Sequence, residues 1–352
     1  MGQKKLRIAQ VAPLWLRIPP ATYGGIELVI KLMVDELVER GHEVTLFAVE
    51  GSQTRARLRA VCHDPLMDLM AREDAQIYEF YGNACVTDAL LAANEFDVVH
   101  FHIGTQWIPM GLLTATPNLH TLHTFLTKDD AWLINRYPRV PLAAISRFQV
   151  QSAVPARAPH IPVVYNGCDF NAFDPSFAPG KYLAFLGRIS NIKNPLDAIR
   201  IAQKVGMPIV LAGQPQSKAE EQYYEAKIKP LVDGKEVRYI GPVDHSQKNE
   251  LLRNAAALLF PVQWSEPFGL VMIEAMACGT PVVGHNLGSV GEVVENGVTG
   301  FYAQSIDEMS ALVPLAMGLD RKNVRRRAME RFSYQAMTDA YLKIYERLIG
   351  GI

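Results

Sequence analysis

The sequence has little of what marks several common protein classes. Its 352 residues include only four cysteines, at positions 62, 85, 168 and 278, and none of them forms a Cys-x-x-Cys pair. We therefore expect reduced, buried thiols rather than a zinc knuckle or a redox motif, with a structural disulfide as the minor alternative. No apolar run approaches the roughly 18–20 residues that a membrane-spanning helix needs. The first residues lack a signal-peptide core, so a cytoplasmic location is expected.

An excess of charge of either sign is also absent. The chain has 35 Lys and Arg against 36 Asp and Glu, which gives a formal net charge of −1. This balance argues against a polybasic nucleic-acid-binding protein. Hydrophobic residues make up 49% and charged residues 20%, which is typical of a globular protein and excludes a disordered one. The length favours two domains.

Two common nucleotide-binding motifs are missing. No Gly-x-x-x-x-Gly-Lys-Ser/Thr sequence occurs, and no Gly-x-Gly-x-x-Gly follows the first predicted strand. A P-loop protein and a dinucleotide-binding protein with the usual fingerprint are therefore disfavoured. An Asp-x-Asp pair is absent as well.

The chain instead alternates short apolar runs with helical patterns. We predict strands at 6–11, 44–49, 98–101, 119–122, 142–145 and 163–165, and again at 182–186, 209–212, 237–240, 258–261 and 282–284. Runs that are apolar on both faces indicate parallel sheets buried between helices. The sequence thus predicts an α/β protein with two doubly wound, Rossmann-like domains, whose ligand crevices lie at the carboxyl ends of the strands. A cleft between the domains is the default site.

Proline and glycine between residues 169 and 180 mark the connection between the two predicted domains. We expect a first domain over residues 1–168 and a second over 169–332. A last helix over 333–352 presents an apolar stripe that includes Tyr341 and Tyr345 and could pack on either domain.

The most informative segment is SEPFGLVMIEAMACGTP, residues 265–281. Pro267 suits the first turn of a helix and Gly279 suits its end. Glu266 is then expected in the loop before the helix and Glu274 inside it, about 12 Å further along the helix axis. This separation is too long for the carboxylate pair of a retaining glycosidase. We predict that the two acids hold different parts of one elongated ligand.

Two sets of backbone amides are candidates for binding phosphate. The amides of Phe268, Gly269 and Leu270 lie between the two glutamates. In the predicted first domain, Gly24 and Gly25 directly precede a helix. Glycines let the backbone approach a ligand closely, and the free amides of a helix start attract an anion. A simple tight turn is the alternative for the glycine pair.

Arg188 and Lys193 follow the first predicted strand of the second domain and are five residues apart. This arrangement suits two cations that converge on a diphosphate. Such cations would neutralise a leaving group without a metal ion, and no metal requirement is predicted. The alternative is a pair of ordinary surface charges.

Histidines end two predicted strands of the first domain. His102, His120 and His123 are expected to point toward the crevice or its rim, whereas His100 and His120 can also be read as structural residues. His120 and His123 have a spacing that zinc ligands use. However, side chains three residues apart on a strand face opposite sides, and no third ligand is evident.

The motifs, and the order in which they follow one another along the chain, resemble those of glycosyltransferase family 4, a large retaining family with the GT-B fold. The resemblance covers nearly all of the chain. It rests on Gly24-Gly25, Thr121-x-His123, Asn166-Gly167-Cys168-Asp169, Gly187-Arg188 with Lys193, and Glu266-x7-Glu274. The last spacing is highly specific, and the others are jointly strong. Cys168 departs from the family pattern, which has an apolar β-branched residue there.

The resemblance implies the fold and the activity. It implies two Rossmann-like domains that face a central cleft, with the last helix crossing back to the first domain. The implied activity is retaining transfer of a hexose, of glucose or mannose type, from a nucleoside-diphosphate-sugar to an acceptor hydroxyl. A UDP-sugar is favoured over a GDP- or ADP-sugar, and no further cofactor is implied.

The resemblance also implies roles for residues of the second domain. Arg188 and Lys193 would hold the donor diphosphate, and Glu274 would bind the ribose hydroxyls. Glu266, with the three backbone amides that follow Pro267, would address the donor sugar and its phosphates.

In the first domain, His123 would sit beside the reacting carbon, and the Gly24-Gly25 loop would close over phosphate or acceptor. Because no nucleophile is obvious, a same-face displacement through an ion pair is the favoured route. His123, Glu266, Arg188 and Lys193 are the predicted catalytic residues.

Other functions of the same architecture stay open at this point. One is a sugar-nucleotide epimerase or a phosphorylase, although a phosphorylase would need a lysine that anchors pyridoxal phosphate. Another is a non-catalytic nucleotide-sugar sensor, although a degenerate copy tends to lose the basic pair and the two glutamates.

The acceptor is not identified by any motif. Tyr23, Trp107, Lys128 and Trp132 are expected in first-domain loops that could meet it. Residues 321–327 contain five cations, which predicts either a solvated helix face or a weak contact with an anionic membrane surface.

Overall fold

The computed structural model describes residues 4–21 and 24–351. The chain forms two compact units. The first unit comprises residues 1–167 together with 334–352, and the second unit comprises residues 168–333.

The strands are β1 (Arg7–Val11), β2 (Glu43–Val49), β3 (Arg57–Cys62), β4 (Val98–Phe101), β5 (Asn118–Leu122), β6 (Leu142–Ala144), β7 (Tyr182–Leu186), β8 (Ile209–Ala212), β9 (Val237–Tyr239), β10 (Ala255–Phe260), β11 (Val282–His285) and β12 (Gly300–Ala303). The helices are α1 (Gly25–Glu39), α2 (Leu66–Ala71), α3 (Tyr78–Leu91), α4 (Lys128–Arg136), α5 (Arg147–Ala153), α6 (Pro195–Val205), α7 (Lys218–Tyr223), α8 (His245–Arg253), α9 (Leu270–Ala277), α10 (Val290–Val293), α11 (Ile306–Met317), α12 (Arg321–Phe332) and α13 (Tyr334–Gly350).

Each unit contains one six-stranded sheet. The order in the first unit is β3-β2-β1-β4-β5-β6, and the order in the second unit is β12-β11-β10-β7-β8-β9. All of the strand pairs are parallel. The two sheets therefore have the same doubly wound strand order. This confirms the α/β fold class predicted from the sequence. The order reverses between β1 and β4 and between β7 and β10, which is where such sheets bind ligands.

The central strands are hydrophobic because both faces of each sheet are covered. β4, β5, β8 and β10 are buried along their whole length, as expected for parallel strands. The apolar runs therefore located most strands to within one to three residues.

One predicted strand was wrong and two strands were not predicted. β3 was missed because Arg57 and Arg59 interrupt the apolar pattern of this edge strand, and the short edge strand β12 was missed as well. The predicted strand at 163–165 is only an isolated bridge between Val163 and Ala144.

The last helix, α13, belongs to the first unit. Its buried side chains include Met337, Tyr341, Ile344 and Tyr345, which lie on the stripe predicted from the sequence. It packs against α1 and β4. The helix thereby covers the sheet near the reversal point of the first unit.

The four cysteines are free thiols. Burial raises the pKa of Cys278 to about 12, so this thiol stays protonated and behaves as a small apolar side chain. None of the helices in the described part of the chain is long and apolar enough to cross a membrane.

Candidate functional site

Three of the predicted donor residues, Arg188, Lys193 and Glu266, lie on two loops at the carboxyl edge of the second unit's sheet. β7 and β10 are neighbours in this sheet. The loop after β7 carries Arg188 and Lys193, and the segment after β10 carries Glu266 and leads into α9. Parallel pairing thus brings together residues that are about 70 positions apart in the sequence.

The loop after β7 has a fixed path. The Gly187 amide donates to the Ala212 carbonyl at 3.1 Å. Gly213 lies so close that a Cβ atom there would be 1.8 Å from the Gly187 oxygen. At the other end of the loop, Asn194 has a left-handed backbone conformation (φ 58°), and its side chain caps α6 by accepting from the Asp197 amide.

Lys193 and Glu266 form an ion pair across the two loops. The same carboxylate oxygen, Oε2, accepts a hydrogen bond of 2.8 Å from the Trp264 indole N–H. The Lys193 ammonium lies 5.0 Å from the centre of a Trp264 ring, within the range of a cation–π contact. Glu266 is buried, with 8% of its surface exposed. Its carboxylate is therefore held in one orientation by two donors.

The backbone around Glu266 is clamped by the segment after β11. The Ser289 amide donates to the Glu266 carbonyl, and the Ser289 hydroxyl donates to the Phe268 carbonyl, both at 2.9 Å. Gly288 has a positive φ of 65°, and a Cβ atom there would meet the Glu266 backbone at 2.3 Å. These contacts keep the residues after Glu266 out of the helix.

Consequently, the helix begins later than the sequence predicted. α9 starts at Leu270, after Gly269 in the left-handed conformation (φ 80°). Pro267 therefore precedes the helix and does not lie in its first turn. The separation of about 12 Å, which assumed a continuous helix from Glu266 to Glu274, does not describe this segment.

The amino terminus of α9 is open to an anion. Phe268 and Gly269 directly precede the helix, Leu270 is its first residue, and the N-cap residue Gly269 has no side chain that could cap this end. The first amide groups of a helix carry a partial positive charge that attracts an anion. The three predicted amides therefore belong to the turn that enters α9.

Glu274 lies on α9 and forms an ion pair with Lys248 of α8. The two side chains are only 12% and 19% exposed. Burial by itself would lower the pKa of Lys248, but the attraction of the Glu274 carboxylate more than offsets burial, and this pKa is raised. Glu274 is thus a fixed negative charge rather than a solvated one.

Arg188 does not pair with the same acid as Lys193. Its Nε lies 3.4 Å from a carboxylate oxygen of Glu220, on α7. Glu220 also accepts a hydrogen bond of 2.7 Å from the Gln216 amide. Each predicted phosphate-binding cation thus has its own acidic neighbour.

The first unit carries the predicted histidine. His123 follows β5 and its Nε2 lies 2.8 Å from Nδ1 of His102. His120 lies on the other face of the strand, where it stacks on Phe101 with ring centres 4.5 Å apart. The predicted opposite orientation of His120 and His123 is therefore observed. Burial lowers the pKa of His123 to about 4 and that of His120 to about 3, so both rings are neutral near pH 7.

Gly24 immediately precedes α1, which begins at Gly25. Gly24 has a φ of 155°, and a Cβ atom there would meet Pro20 at 2.7 Å and Leu16 at 2.8 Å. Only glycine fits this position. Thr22 and Tyr23 lie outside the described residues.

Three of the residues that were predicted to lie in acceptor-facing loops lie in helices instead. Trp107 is buried in a 3-10 helix, Thr105–Leu113, and its indole donates to Asn83 at 2.7 Å, so it is a core residue. Lys128 and Trp132 lie on α4 and not on a loop. Trp132 is 65% exposed. Tyr23 is outside the described residues.

Arginines of the basic run at 321–327 contact other residues of the second unit. The Arg321 guanidinium is buried and donates to the Ala255 carbonyl at 2.7 Å. Arg325 donates to the Phe170 carbonyl, also at 2.7 Å. Arg327 pairs with Glu295. Much of the positive charge of this run therefore faces the protein.

Within residues 4–21 and 24–351, no group of three or more His, Cys, Asp or Glu side chains is placed to hold a metal ion. Sequence reasoning missed Trp264, Lys248, Glu220 and Ser289 as neighbours of the predicted residues. Trp264 could have been found, because it lies in the same loop two positions before Glu266. The other three come from distant elements and carry no local signal.

Comparisons with known proteins agree with this architecture. Residues 23–171 match the family model described as Glycosyltransferase Family 4, and residues 171–331 match Glycosyl transferases group 1. The D-inositol 3-phosphate glycosyltransferase of Mycobacterium tuberculosis is 29% identical, over 93% of this chain and 79% of that protein.

Solved structures are similar over almost the whole chain. AviGT4, a glycosyltransferase involved in avilamycin A biosynthesis, is 28% identical with a TM-score of 0.69, and 99% of each chain is covered. HepE of Anabaena, in complex with UDP-glucose, is 19% identical with a TM-score of 0.74, over 97% of this chain and 99% of that one. The second likeness shows the fold alone. Taken with the two family models, these findings identify the chain as a glycosyltransferase of family 4 with the GT-B fold.

Proposed function

We propose that the protein transfers a hexose from a UDP-sugar to an acceptor hydroxyl with retention of the anomeric configuration. The observation that carries this proposal is the cluster at the reversal point of the second sheet. There, Lys193 and Glu266 form an ion pair in the segment that leads into α9. A cation, a fixed carboxylate and the amides of a helix start suit a ligand that carries both phosphate and sugar.

The proposed roles follow from charge development during the reaction. The departing diphosphate gains negative charge, which Arg188, Lys193 and the amides that begin α9 would stabilise. The transferred sugar gains positive charge, which the oriented Glu266 carboxylate would stabilise. Glu274 would bind the ribose, which reaction leaves unchanged. The solved complex of HepE with UDP-glucose supports a nucleotide-sugar donor.

Residues of the first unit would complete the reaction. His123 would contact the transferred sugar beside the reacting carbon, and the Gly24-Gly25 loop would bind phosphate or acceptor. We propose a same-face displacement through a short-lived ion pair. In that route the leaving oxygen of the diphosphate takes the proton of the acceptor hydroxyl as the new glycosidic bond forms.

The donor assignment is tested by calorimetric titration of UDP. Arg188→Ala and Lys193→Ala should each weaken binding by about 1.5–3 kcal/mol, the value of a hydrogen bond to a charged group. Lys204→Ala is the matched control, because Lys204 is an exposed lysine of the same unit that pairs with Asp307. Wild-type affinity in both test variants would remove these cations from the donor site.

A cytoplasmic location and a weak contact with membrane surfaces stay predictions. For the acceptor, two of the candidates from the sequence, Lys128 and Trp132 on α4, are exposed at the surface.

A further inference from the structure

A chain of hydrogen bonds runs behind His123 into the core of the first unit. His123 Nε2 lies 2.8 Å from His102 Nδ1, and His102 Nε2 lies 2.8 Å from the Gln10 carboxamide oxygen. The Gln10 amide nitrogen donates to the Tyr345 hydroxyl at 3.0 Å. The chain therefore connects the loop after β5, the residue after β4, strand β1 and helix α13.

The chain continues beyond Tyr345. The Tyr345 hydroxyl lies 2.7 Å from His100 Nδ1, and His100 Nε2 lies 2.7 Å from the Thr121 hydroxyl. The Thr121 hydroxyl lies 3.1 Å from that of Tyr341. His123 is partly buried and all of the other members are buried, with Gln10, His100 and Tyr345 completely so. Only the His123 end reaches toward the surface.

The members of this chain are uncharged near neutral pH. Burial lowers the pKa of His100 and His102 well below the usual value for histidine. A neutral imidazole has one N–H donor and one bare nitrogen that accepts. In such a chain, the direction of each hydrogen bond therefore determines the direction of the next.

Gln10 sets that direction because the two ends of its carboxamide are different. Its oxygen faces His102 and can only accept, so His102 carries its proton on Nε2. His102 Nδ1 is then bare and must accept from His123, which places the proton of His123 on Nε2. His123 Nδ1, which makes no hydrogen bond to another described residue, is left as an acceptor.

We propose that Gln10 and His102 are positioning residues that fix the tautomer of His123, so that His123 Nδ1 accepts a hydrogen bond from a hydroxyl of the transferred sugar. The identity of the ligand rests on the proposed function, whereas the tautomer does not. The opposite orientation of the Gln10 carboxamide would reverse every donor in the chain and leave an N–H on His123 Nδ1. The two arrangements therefore make opposite predictions.

Nitrogen NMR of the protein labelled with 15N-histidine reads the tautomer directly, and His123→Gln identifies the signals of His123. In the wild type we expect a single neutral tautomer with the proton on Nε2. In Gln10→Leu, His102 loses its acceptor, and we expect His123 to show a mixture of both tautomers. Tyr341→Phe is the matched control, since it removes a buried hydrogen bond at the far end of the chain and should leave the His123 tautomer unchanged.

The kinetic expectation for Gln10→Leu is a kcat about tenfold lower, with a donor KM within about twofold of wild type. A proton on Nδ1 in the wild type, or an unchanged tautomer in Gln10→Leu, would overturn the proposal. If Gln10→Leu does not fold, Tyr345→Phe is used in its place, because it removes the acceptor that orients the amide nitrogen. Absence of glycosyl transfer by the wild type would count against the proposed function, and the tautomer would still be decided by NMR.

Discussion

The ion pair between Lys248 and Glu274 offers the sharpest test of how this site is held together. The side chains are 19% and 12% exposed and lie on separate helices, α8 and α9. Removing one partner of a fully buried pair costs about 3–5 kcal/mol, because a charge is left uncompensated. Partial exposure reduces this cost. For either Lys248→Met or Glu274→Gln we expect the free energy of unfolding to fall by about 2–3 kcal/mol. For a unit of this size, that loss lowers Tm by roughly 4–12 °C.

A double-mutant cycle separates this pair energy from other effects. Urea unfolding of the two single variants and of the double variant should give a coupling of about 1.5–3 kcal/mol. The Lys229 and Glu225 pair is the control, since both of its side chains are 58% exposed and its coupling should stay below about 1 kcal/mol. A coupling for Lys248 and Glu274 as small as that of the control would refute the structural reasoning.

The same variants show whether Glu274 also binds the donor. A ribose contact is equally strong in the ground state and the transition state, so Glu274→Gln should raise the donor KM with little change in kcat. The effect should persist in the Lys248→Met background. The pKa of Lys248 is raised above 10.5, so its contribution to stability is complete below that pH and is lost as the pH rises through the raised pKa. Stability that does not change through this alkaline range would contradict the role of the ion pair. An unchanged donor KM in Glu274→Gln would contradict the ribose contact.

Three further outcomes are expected. Glu266→Gln should lower kcat by about 10²-fold or more with a smaller effect on KM, because the carboxylate acts on charge that develops in the transition state; an effect confined to KM would contradict this. Donor hydrolysis should continue in excess EDTA, and complete loss of activity that magnesium or manganese restores would count against the roles of Arg188 and Lys193. Gly288→Ala should lower both Tm and kcat, since its Cβ would strike the Glu266 backbone. Gly241→Ala, which has a similar φ of 73° and no atom within 4 Å, should lower Tm alone, by the smaller cost of left-handed strain.

The sequence located the sheets well because buried parallel strands are almost continuously apolar, and this signal is local. It located the start of α9 poorly. Pro267 and the apolar residues after it suit a helix, but Ser289 and Gly288, from a different loop, hold Phe268 outside it. Only the packed structure contains that information.

Partners from distant parts of the chain could not be predicted for the same reason. Glu266 and Glu274 were selected by their spacing, whereas Lys248 has no motif that marks it as a neighbour of Glu274. The hydrogen bond between the Gln10 and Tyr345 side chains joins residues that are 335 positions apart in the sequence. Histidines at strand ends were visible in the sequence, but the chain that orients His123 depends on how α13 packs.

The central claim, retaining transfer from a nucleotide-sugar, is tested most directly by following donor turnover with proton NMR. UDP-glucose carries its glucosyl group in the α configuration, and the purified protein should release glucose slowly when water replaces the acceptor. The account predicts that α-glucose appears first and that the β anomer grows in only by mutarotation. Initial release of β-glucose would contradict retention. Failure to turn over UDP-glucose or any other sugar in a panel of UDP-, GDP- and ADP-sugars would contradict the proposed activity itself.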